Sequence, residues 1–480
     1  MDDRFEQMFK PVLRKGNPIR EIGQAADIIA KQANVPVIRL HLGNPSTEQF
    51  EATKQAMVHS VMTRQGGYGP HPGSEEEKNR LADFFNDAEG VPDHFQGVDA
   101  VFFPGATLIT KSIIHLFNHI PNSMILLSKP GYPVYENQAF ADHCQVGHYH
   151  FDENGLLRYA DLEQLILTNS NAAGETSVRV IFITYPHNPT GKALSKEEAK
   201  EMAAVLNRIN ERFPSVIFYN DSVYSATCAV ETGYNSFYTY LSDNARLRTI
   251  TGASGAKLAS MGGERIGGIA TKNPLLRELL ANAQSQMTAG VSVHSISGFL
   301  ATTQLFKGQW SAGIDLSQPR AQIADFYQSR INMVAGALNE IDHIIGNGHL
   351  SPIVKQKPVG GMYLYADFTG LLKGKAIPQA LQNLVGSKTI ETGKHLRDFL
   401  LAMHKLSYVP VSTVNGEIFG EENKITLRIS CVERNICALK YGVHTLKGAI
   451  QVLLDKDFGV NPIDLTRVKD AIIKGQFITN

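Results

Sequence analysis

The loop that follows one short apolar run decides how this chain is interpreted. Residues 247–257 read LRTITGASGAK, and GER follows at residues 263–265. The run at 247–251 is rich in β-branched residues, as a strand buried in a parallel sheet requires. Lys257 therefore lies in a loop rich in glycine and serine that follows a predicted strand, and Arg265 comes eight positions later (265−257=8). By itself this arrangement is more typical of a flexible surface loop that carries two solvated cations.

Apolar runs of the same kind alternate with helical patterns upstream of this loop. Near-continuous apolar runs are typical of parallel strands that are buried on both faces. Their alternation with helices predicts an α/β domain with a mostly parallel sheet. The predicted strands are residues 100–103, 124–127, 178–184, 216–219 and 247–251, and the predicted helices include 52–63, 74–87 and 111–118.

The pattern changes after about residue 305, where long helices predominate over strands. In this region the pattern predicts helices over residues 318–341 and 462–474 and a strand over 362–368. Near the N-terminus it predicts a helix over 18–32 and a strand over 35–42. We therefore predict a large α/β domain over residues 45–305. Residues 1–44 and 306–480 would form a smaller α+β domain with an N-terminal arm and a C-terminal extension. We hypothesise that the C-terminal extension caps this smaller domain or a dimer.

Composition excludes several classes of partner. The chain has 480 residues, is 43% hydrophobic and has a formal net charge of +0, so it can bury large cores but presents no basic surface for nucleic acid or anionic membranes. No apolar run reaches the roughly 18 residues of a membrane span, and the N-terminus lacks the order of a signal peptide. A cytoplasmic location follows as an expectation. The four cysteines lack CxxC spacing and a histidine cluster, so no metal site is predicted.

Three further motifs lie at predicted strand ends. Residues 105–107 (GAT) open the helix after strand 100–103, where free N–H groups and the helix dipole favour an anion. Residues 188–191 (NPTG) follow strand 178–184, and they could also be an ordinary turn. Residues 221–224 (DSVY) follow strand 216–219, where Asp221 could equally be a helix N-cap.

In this order, the motifs resemble those of the fold type I pyridoxal 5′-phosphate (PLP) enzymes, and specifically the class I and II aminotransferase family. That family has S-x-x-K followed by G-x-R around its lysine, N-P-T-G in the turn, and D-x-x-Y after the next strand. The resemblance covers residues 43–428. It implies a large domain with a mostly parallel sheet of the seven-stranded type, flanked by helices, and PLP as the cofactor.

The resemblance assigns the cofactor contacts residue by residue. Lys257 would form a Schiff base with PLP, which a lysine nucleophile can do. Asp221 would pair with the pyridine nitrogen, while Tyr224 and Asn188 would donate hydrogen bonds to the phenolic oxygen. Tyr132 would stack on the cofactor ring, although it could also be a core aromatic. Tyr68 would reach the cofactor phosphate that is bound in the neighbouring subunit. The residues that would bind the phosphate within the subunit are Gly105, Ala106, Thr107, Ser254 and Arg265. Ala256 stands where many members have a second hydroxyl, so the resemblance implies one phosphate hydrogen bond fewer at this position.

Substrate binding is also implied by the resemblance. Arg428 lies in the alternating segment ITLRIS, residues 425–430, where a charged residue usually faces solvent. Its match to the family's late R-I-S segment implies a bidentate clamp for the substrate α-carboxylate. Gly43 and Asn188 would line the same pocket. The role of Tyr68 implies a homodimer with shared active sites.

The expected reaction is transamination between an amino acid and a 2-oxo acid by a ping-pong mechanism, with Lys257 as the base at Cα. A PLP-dependent lyase or decarboxylase, of the β-elimination or aspartate β-decarboxylation type, shares the first steps and stays open as an alternative. Residues 285–292 contain no arginine, although aspartate-specific members of one subgroup have a second arginine there. A neutral or aromatic substrate side chain is therefore at least as compatible as a dicarboxylate.

Overall fold

A computed structural model describes residues 18–64, 73–152, 154–307, 319–346 and 360–478. The chain divides into two compact units: the larger has residues 43–335 and 355–365, and the smaller has 1–42, 336–354 and 366–480. In this division residues 319–335 group with the larger unit, whereas the sequence pattern predicts a boundary at residue 305.

The strands of the described residues are short, and most belong to the larger unit. They are β1 (Ile38–Arg39), β2 (Ala100–Phe103), β3 (Met124–Lys129), β4 (Gln145–His150), β5 (Val178–Thr184), β6 (Ile217–Asp221), β7 (Thr249–Ser254), β8 (Gly267–Ala270), β9 (Tyr363–Asp367), β10 (Val411–Ser412), β11 (Val414–Asn415) and β12 (Thr426–Ser430). The division between the two units falls within β9.

The α-helices cover both units. They are α1 (Pro18–Ala33), α2 (Glu51–Thr63), α3 (Glu75–Glu89), α4 (Ala106–His115), α5 (Pro133–Ala141), α6 (Tyr159–Thr168), α7 (Lys196–Arg212), α8 (Asp243–Arg246), α9 (Gly255–Leu258), α10 (Pro274–Thr288), α11 (Val293–Phe306), α12 (Pro319–Ile345), α13 (Thr369–Leu372), α14 (Gln379–Val385), α15 (Gly393–Ala402), α16 (Ile436–Leu454) and α17 (Leu465–Ile473). None of those in the described ranges is long and apolar enough to cross a membrane.

A seven-stranded sheet of order β2-β8-β7-β6-β5-β3-β4 forms the centre of the larger unit. Only β8 runs antiparallel to its neighbours, which confirms the predicted mostly parallel sheet. Its core contains fully buried side chains such as Phe103, Ile125, Val180 and Ile250. Because β5, β6 and β7 are parallel, their carboxyl ends share one edge, the usual ligand-binding edge of such sheets.

The observed bounds correct several predicted elements. Strands 100–103 and 178–184 are confirmed, whereas the predicted strand 35–42 is wrong, since only two of its residues pair with β10. Strands β6 and β7 continue beyond their predicted ends, to Asp221 and Ser254. Polar residues at a strand end still pair with their neighbours, but an apolar pattern does not detect them. Helix α4 begins at Ala106, where the GAT motif predicts a helix start, and not at residue 111 as the helical pattern predicts.

The smaller unit contains short strand pairs and helices. Strand β1 pairs parallel with β10, and β11 pairs antiparallel with β12, so that Val414 lies opposite Arg428. The predicted helix 462–474 is observed as α17, which begins after Asp464 because this side chain accepts a hydrogen bond from the Thr466 N–H group.

Helix α3 of the larger unit ends at a buried glutamate, Glu89. Glu89 is fully buried, and its Oε2 accepts hydrogen bonds from Asn220 Nδ2, at 3.0 Å, and from Ser236 Oγ. Burial raises the pKa of Glu89 to about 7, although these two hydrogen bonds favour the charged form. Ionising Glu89 therefore opposes folding.

We expect Glu89→Gln to stabilise the protein increasingly as pH rises. Because the pKa of Glu89 is raised by folding, its penalty is absent below about pH 4.5 and complete above about pH 7. The variant should gain roughly 3 kcal/mol of unfolding free energy relative to the parent between pH 4.5 and pH 8, measured by urea denaturation.

Glu77→Gln is the matched control with the opposite sign. Burial opposes ionisation of Glu77, but hydrogen bonds from Ser74 and Arg64 outweigh it and lower its pKa. This variant should lose stability relative to the parent as pH rises. Parallel pH dependences of the two variants would contradict the assignment of Glu89.

Candidate active site

Lys257 lies at the carboxyl end of β7, on the single-turn helix α9. Ser254 begins this helix: its Oγ accepts a hydrogen bond from the Ala256 N–H group at 3.2 Å and donates to the Ile266 carbonyl at 3.3 Å. Lys257 is half-buried; its Nζ donates to the Gly43 carbonyl and lies 5.8 Å from the ring centroid of Tyr224. The lysine therefore points into the unit and is not a solvated surface cation.

Asp221 ends the neighbouring strand β6 with its carboxylate removed from water. Tyr135, on α5, donates a hydrogen bond to its Oδ2. The other oxygen, Oδ1, is buried and accepts no hydrogen bond from the described residues. Burial raises the pKa of Asp221 to about 6, and hydrogen bonds from the Tyr135 hydroxyl and the Val223 N–H group oppose this shift. A cationic N–H donor beside Oδ1 would stabilise the charged form.

A chain of polar groups lies beside Lys257. Asn188 Nδ2 donates to the Tyr224 hydroxyl at 3.4 Å, and the Tyr224 and Tyr363 hydroxyl oxygens are 3.1 Å apart. All three side chains are buried. Asn188 lies in the turn that follows β5. A hydrogen bond from the Gly191 N–H group to the His187 carbonyl stabilises this turn.

Arg265 lies over the start of helix α4. Strand β8, which begins two residues after Arg265, brings the arginine to this position. Its first residue, Gly267, is in register with Phe103 at the end of β2 and with Ser254 at the end of β7. A Cβ atom on Gly105 would lie 2.8 Å from Arg265 Nη2, so the guanidinium group approaches the backbone where α4 begins.

This arrangement combines two positive groups at the sheet edge. The free N–H groups of a helix start and an arginine fork both bind phosphate oxygens. Ala106 and Thr107 form the first turn of α4, and the Thr107 carbonyl accepts a hydrogen bond from Gln138 Nε2 at 2.8 Å. The structure thus brings together Gly105, Ala106, Thr107, Ser254 and Arg265, in a geometry that suits an anion.

Two further sequence-based candidates have different outcomes. Tyr132 is the N-cap residue of α5 and packs edge-to-face on Tyr135, with ring centroids 5.3 Å apart. It is half-buried, and its stacking on a cofactor ring stays a prediction. Tyr68 lies outside the described residues.

Arg428 belongs to the smaller unit and is almost fully buried in β12, so it does not face solvent. Its Nη2 donates to the His41 carbonyl at 2.9 Å, and the guanidinium carbon lies 5.2 Å from the Phe419 ring centroid. His41 Nδ1 lies 2.7 Å from Ser412 Oγ. Burial, together with Arg39 and Arg428, lowers the pKa of His41 to about 4, so this imidazole is neutral at pH 7.

Sequence patterns did not identify Tyr135 and Tyr363. Tyr135 stands three residues after Tyr132 in the PGYPVY stretch, and this spacing on a helix was the available signal. Tyr363 follows the glycine pair at 360–361, but no local pattern could place it beside Tyr224, which is far away in sequence.

Comparisons with known proteins agree on one family. The sequence model for aminotransferase class I and II matches residues 35–432. A tyrosine aminotransferase from Caenorhabditis elegans is 24% identical over 382 residues, which cover 78% of this chain and 75% of that protein. A bifunctional aspartate aminotransferase and glutamate/aspartate-prephenate aminotransferase from Petunia hybrida is 23% identical over 433 residues, covering 88% and 79%.

Solved structures share the fold. The aspartate aminotransferase from Rhizobium meliloti superposes with a TM-score of 0.74 at 22% sequence identity, covering 92% of this chain and 98% of that one. An aspartate aminotransferase double mutant from Thermus thermophilus gives a TM-score of 0.72 at 15% identity, covering 91% and 97%.

We expect Gly105→Ala to weaken binding of a phosphate-bearing ligand. The added methyl group would meet the Arg265 guanidinium, and the backbone φ of +82° is strained for alanine. The affinity of cofactor-free protein for PLP, measured by fluorescence titration, should fall at least about tenfold.

Gly174→Ala is the control for backbone strain. Gly174 has a φ of +80°, but a Cβ atom there would have no neighbour within 4 Å. Its affinity for PLP should stay within about twofold of the parent. Equal affinities of both variants and the parent would show that Gly105 and Arg265 do not form an anion site.

Proposed function

Since the chain belongs to the class I and II aminotransferase family, we propose that Lys257 binds pyridoxal 5′-phosphate in transamination between an amino acid and a 2-oxo acid. This class of enzyme uses PLP, and the relatives reported above are aminotransferases, which favours transamination over the lyase and decarboxylase alternative.

The buried Asp221 carboxylate carries the proposal. A buried carboxylate is costly unless it is paired, and Oδ1 accepts no hydrogen bond within the described part of the chain. The protonated ring nitrogen of PLP is a donor of the required charge. Arg265 and the start of α4 suit the phosphate group, Asn188 and Tyr224 the ring oxygen, and Tyr132 the ring face. These residues fit PLP in charge and in hydrogen-bonding capacity.

Each residue then has a defined chemical task. Bound PLP supplies an electron sink for the bonds at the substrate Cα. Asp221 keeps the ring nitrogen protonated. We assign Lys257 as the base that removes the Cα proton of the amino donor and, in the second half-reaction, as the acid that gives a proton to Cα of the new amino acid. We assign the Gly43 carbonyl as the acceptor that positions the lysine amine. Tyr224 and Asn188 stabilise negative charge on the ring oxygen by hydrogen bonds.

For the substrate, we propose Arg428 as the group that binds the α-carboxylate. Its guanidinium has the planar fork that matches a carboxylate, and burial strengthens such a charge-assisted pair. Gly43 and Asn188 are proposed substrate contacts by resemblance. We propose an amino donor with a neutral or aromatic side chain, because residues 285–292 lack a second arginine and one relative is a tyrosine aminotransferase.

We also propose a homodimer with shared active sites, in the cytoplasm. Val58, Val61 and Met62 lie on one face of α2 and are 62%, 58% and 79% exposed. Large apolar side chains grouped in this way are typical of a protein interface. They directly precede the segment that contains Tyr68, for which we propose the contact with the partner's cofactor phosphate.

We expect a single-turnover reaction with amino acids to distinguish transamination from the alternatives. The cofactor should change to its amino form, followed by visible absorbance, with about one 2-oxo acid released per site. Lys257→Ala should slow this change by at least about a thousandfold, because the base is lost. The exposed Lys196→Ala control should react like the parent. Release of ammonia or CO₂ instead of a 2-oxo acid would contradict the proposed reaction.

We expect Met62→Asp to weaken the dimer, because it would place a charge in an apolar interface. Analytical ultracentrifugation should show a shift toward monomer and, through the shared site, a loss of activity at low protein concentration. Ile473→Asp, which changes an equally exposed residue on α17, should leave the dimer intact. A parent protein that is monomeric and fully active would contradict the shared site.

A further inference from the structure

We propose that Gln138 is a positioning residue for the proposed phosphate site, because its side-chain amide holds the first turn of helix α4. This inference rests on the function proposed above and deepens it, since it concerns how the chain orients the groups that would bind the cofactor phosphate. The sequence motifs do not identify Gln138, which lies on helix α5 three residues after the PGYPVY stretch.

The start of α4 has no side-chain cap. Its N-cap residue is Gly105, which has no side chain with which to cap the helix. The first N–H groups of a helix have no partner within the helix, so an uncapped start leaves them for a ligand. The same turn lacks the stability that a capping side chain usually provides. Support for this turn must therefore come from a group that does not occupy its N–H donors.

Gln138 contacts this turn from its carbonyl side. Its Nε2 donates to the Thr107 carbonyl at 2.8 Å, and its Oε1 accepts from the Thr110 hydroxyl at 2.7 Å. A carbonyl oxygen only accepts hydrogen bonds, so it is the amide nitrogen of Gln138 that must face Thr107. Thr107 and Thr110 lie about one turn apart on α4. Gln138 thus joins two residues of the first turn without occupying an N–H group.

A second contact between the two helices acts on later turns of α4. Asp142, which directly follows α5, is buried; it forms an ion pair with Lys111 at 2.7 Å and lies 3.1 Å from His115 Nδ1. The body of α4 is therefore held on α5 by Asp142, whereas its first turn is held by Gln138. General packing of the two helices is thus provided without the Gln138 amide.

Helix α5 also positions groups that are proposed to contact the cofactor ring. Tyr132 is its N-cap residue, and Tyr135 donates a hydrogen bond to Asp221. Gln138 follows Tyr135 by three residues, so the two side chains are neighbours on the helix surface. One helix therefore sets both the proposed partner of the ring nitrogen and the turn proposed for the phosphate. A ligand that must contact both binds more tightly when both are already in place.

Binding to the cofactor-free protein tests the proposal, with PLP, pyridoxal and inorganic phosphate as ligands. Pyridoxal has the ring and the aldehyde of PLP but no phosphate. Gln138→Met keeps a side chain of similar length and removes both hydrogen bonds to α4. We expect it to lower the affinity for PLP about three- to tenfold, and the affinity for inorganic phosphate, measured by competition with PLP, by a similar factor.

The affinity for pyridoxal should stay within about twofold of the parent, because Lys257 and the groups proposed for the ring are unchanged. Gln138→Ala should behave in the same way. Gln164→Met is the matched control, since the Gln164 amide donates to Thr168 Oγ1 at 3.2 Å on α6, a helix with no proposed site residue. Its affinities for all three ligands should equal those of the parent.

Two results would overturn the role of Gln138. One is a PLP affinity of both Gln138 variants that equals that of the parent. The other is an equal loss of affinity for PLP and pyridoxal, because general damage to the fold would not distinguish the two ligands. Either result leaves the proposed function intact, since the parent still binds PLP at Lys257. A parent protein that binds PLP without Lys257 would instead contradict the proposed function.

Discussion

A carboxylate removed from water at the end of a central strand is the constraint on which this site depends. Asp221 has one oxygen held by Tyr135 and the other buried without a hydrogen bond from the described residues. Burial raises its pKa to about 6 against opposing hydrogen bonds from Tyr135 and the Val223 N–H group, and a cationic N–H donor is the partner that would stabilise its charged form. We propose the protonated ring nitrogen of PLP as that donor.

The sheet brings the remaining groups to this carboxylate. Parallel strands β6 and β7 end at Asp221 and Ser254, so the aspartate and the lysine helix that follows β7 share one edge. The antiparallel strand β8 pairs with β2 on one side and β7 on the other. It therefore carries Arg265 to the start of α4. One sheet topology thus brings to one edge the buried carboxylate proposed for the ring nitrogen and the arginine and helix start proposed for the phosphate.

Sequence patterns predicted the α/β class, the mostly parallel sheet and the motifs at the strand ends, because buried strands require continuous apolar runs. They could not predict that Arg428 is buried, since an alternating strand is also compatible with a solvent-facing charge. They also missed Tyr135 and Tyr363, whose importance comes from contacts with residues distant in sequence. Strand β8, with the sequence GGIA, lacks the side chains that mark a strand, although it positions Arg265.

Lys257 is the residue through which the proposed chemistry operates, and its covalent role can be tested by peptide mapping. The purified holoenzyme is reduced with borohydride, digested and analysed by tandem mass spectrometry. We expect the mass of the reduced cofactor on the peptide that contains Lys257 and on that lysine. Attachment at another lysine, or an active holoenzyme with no attachment at Lys257, would contradict the assignment.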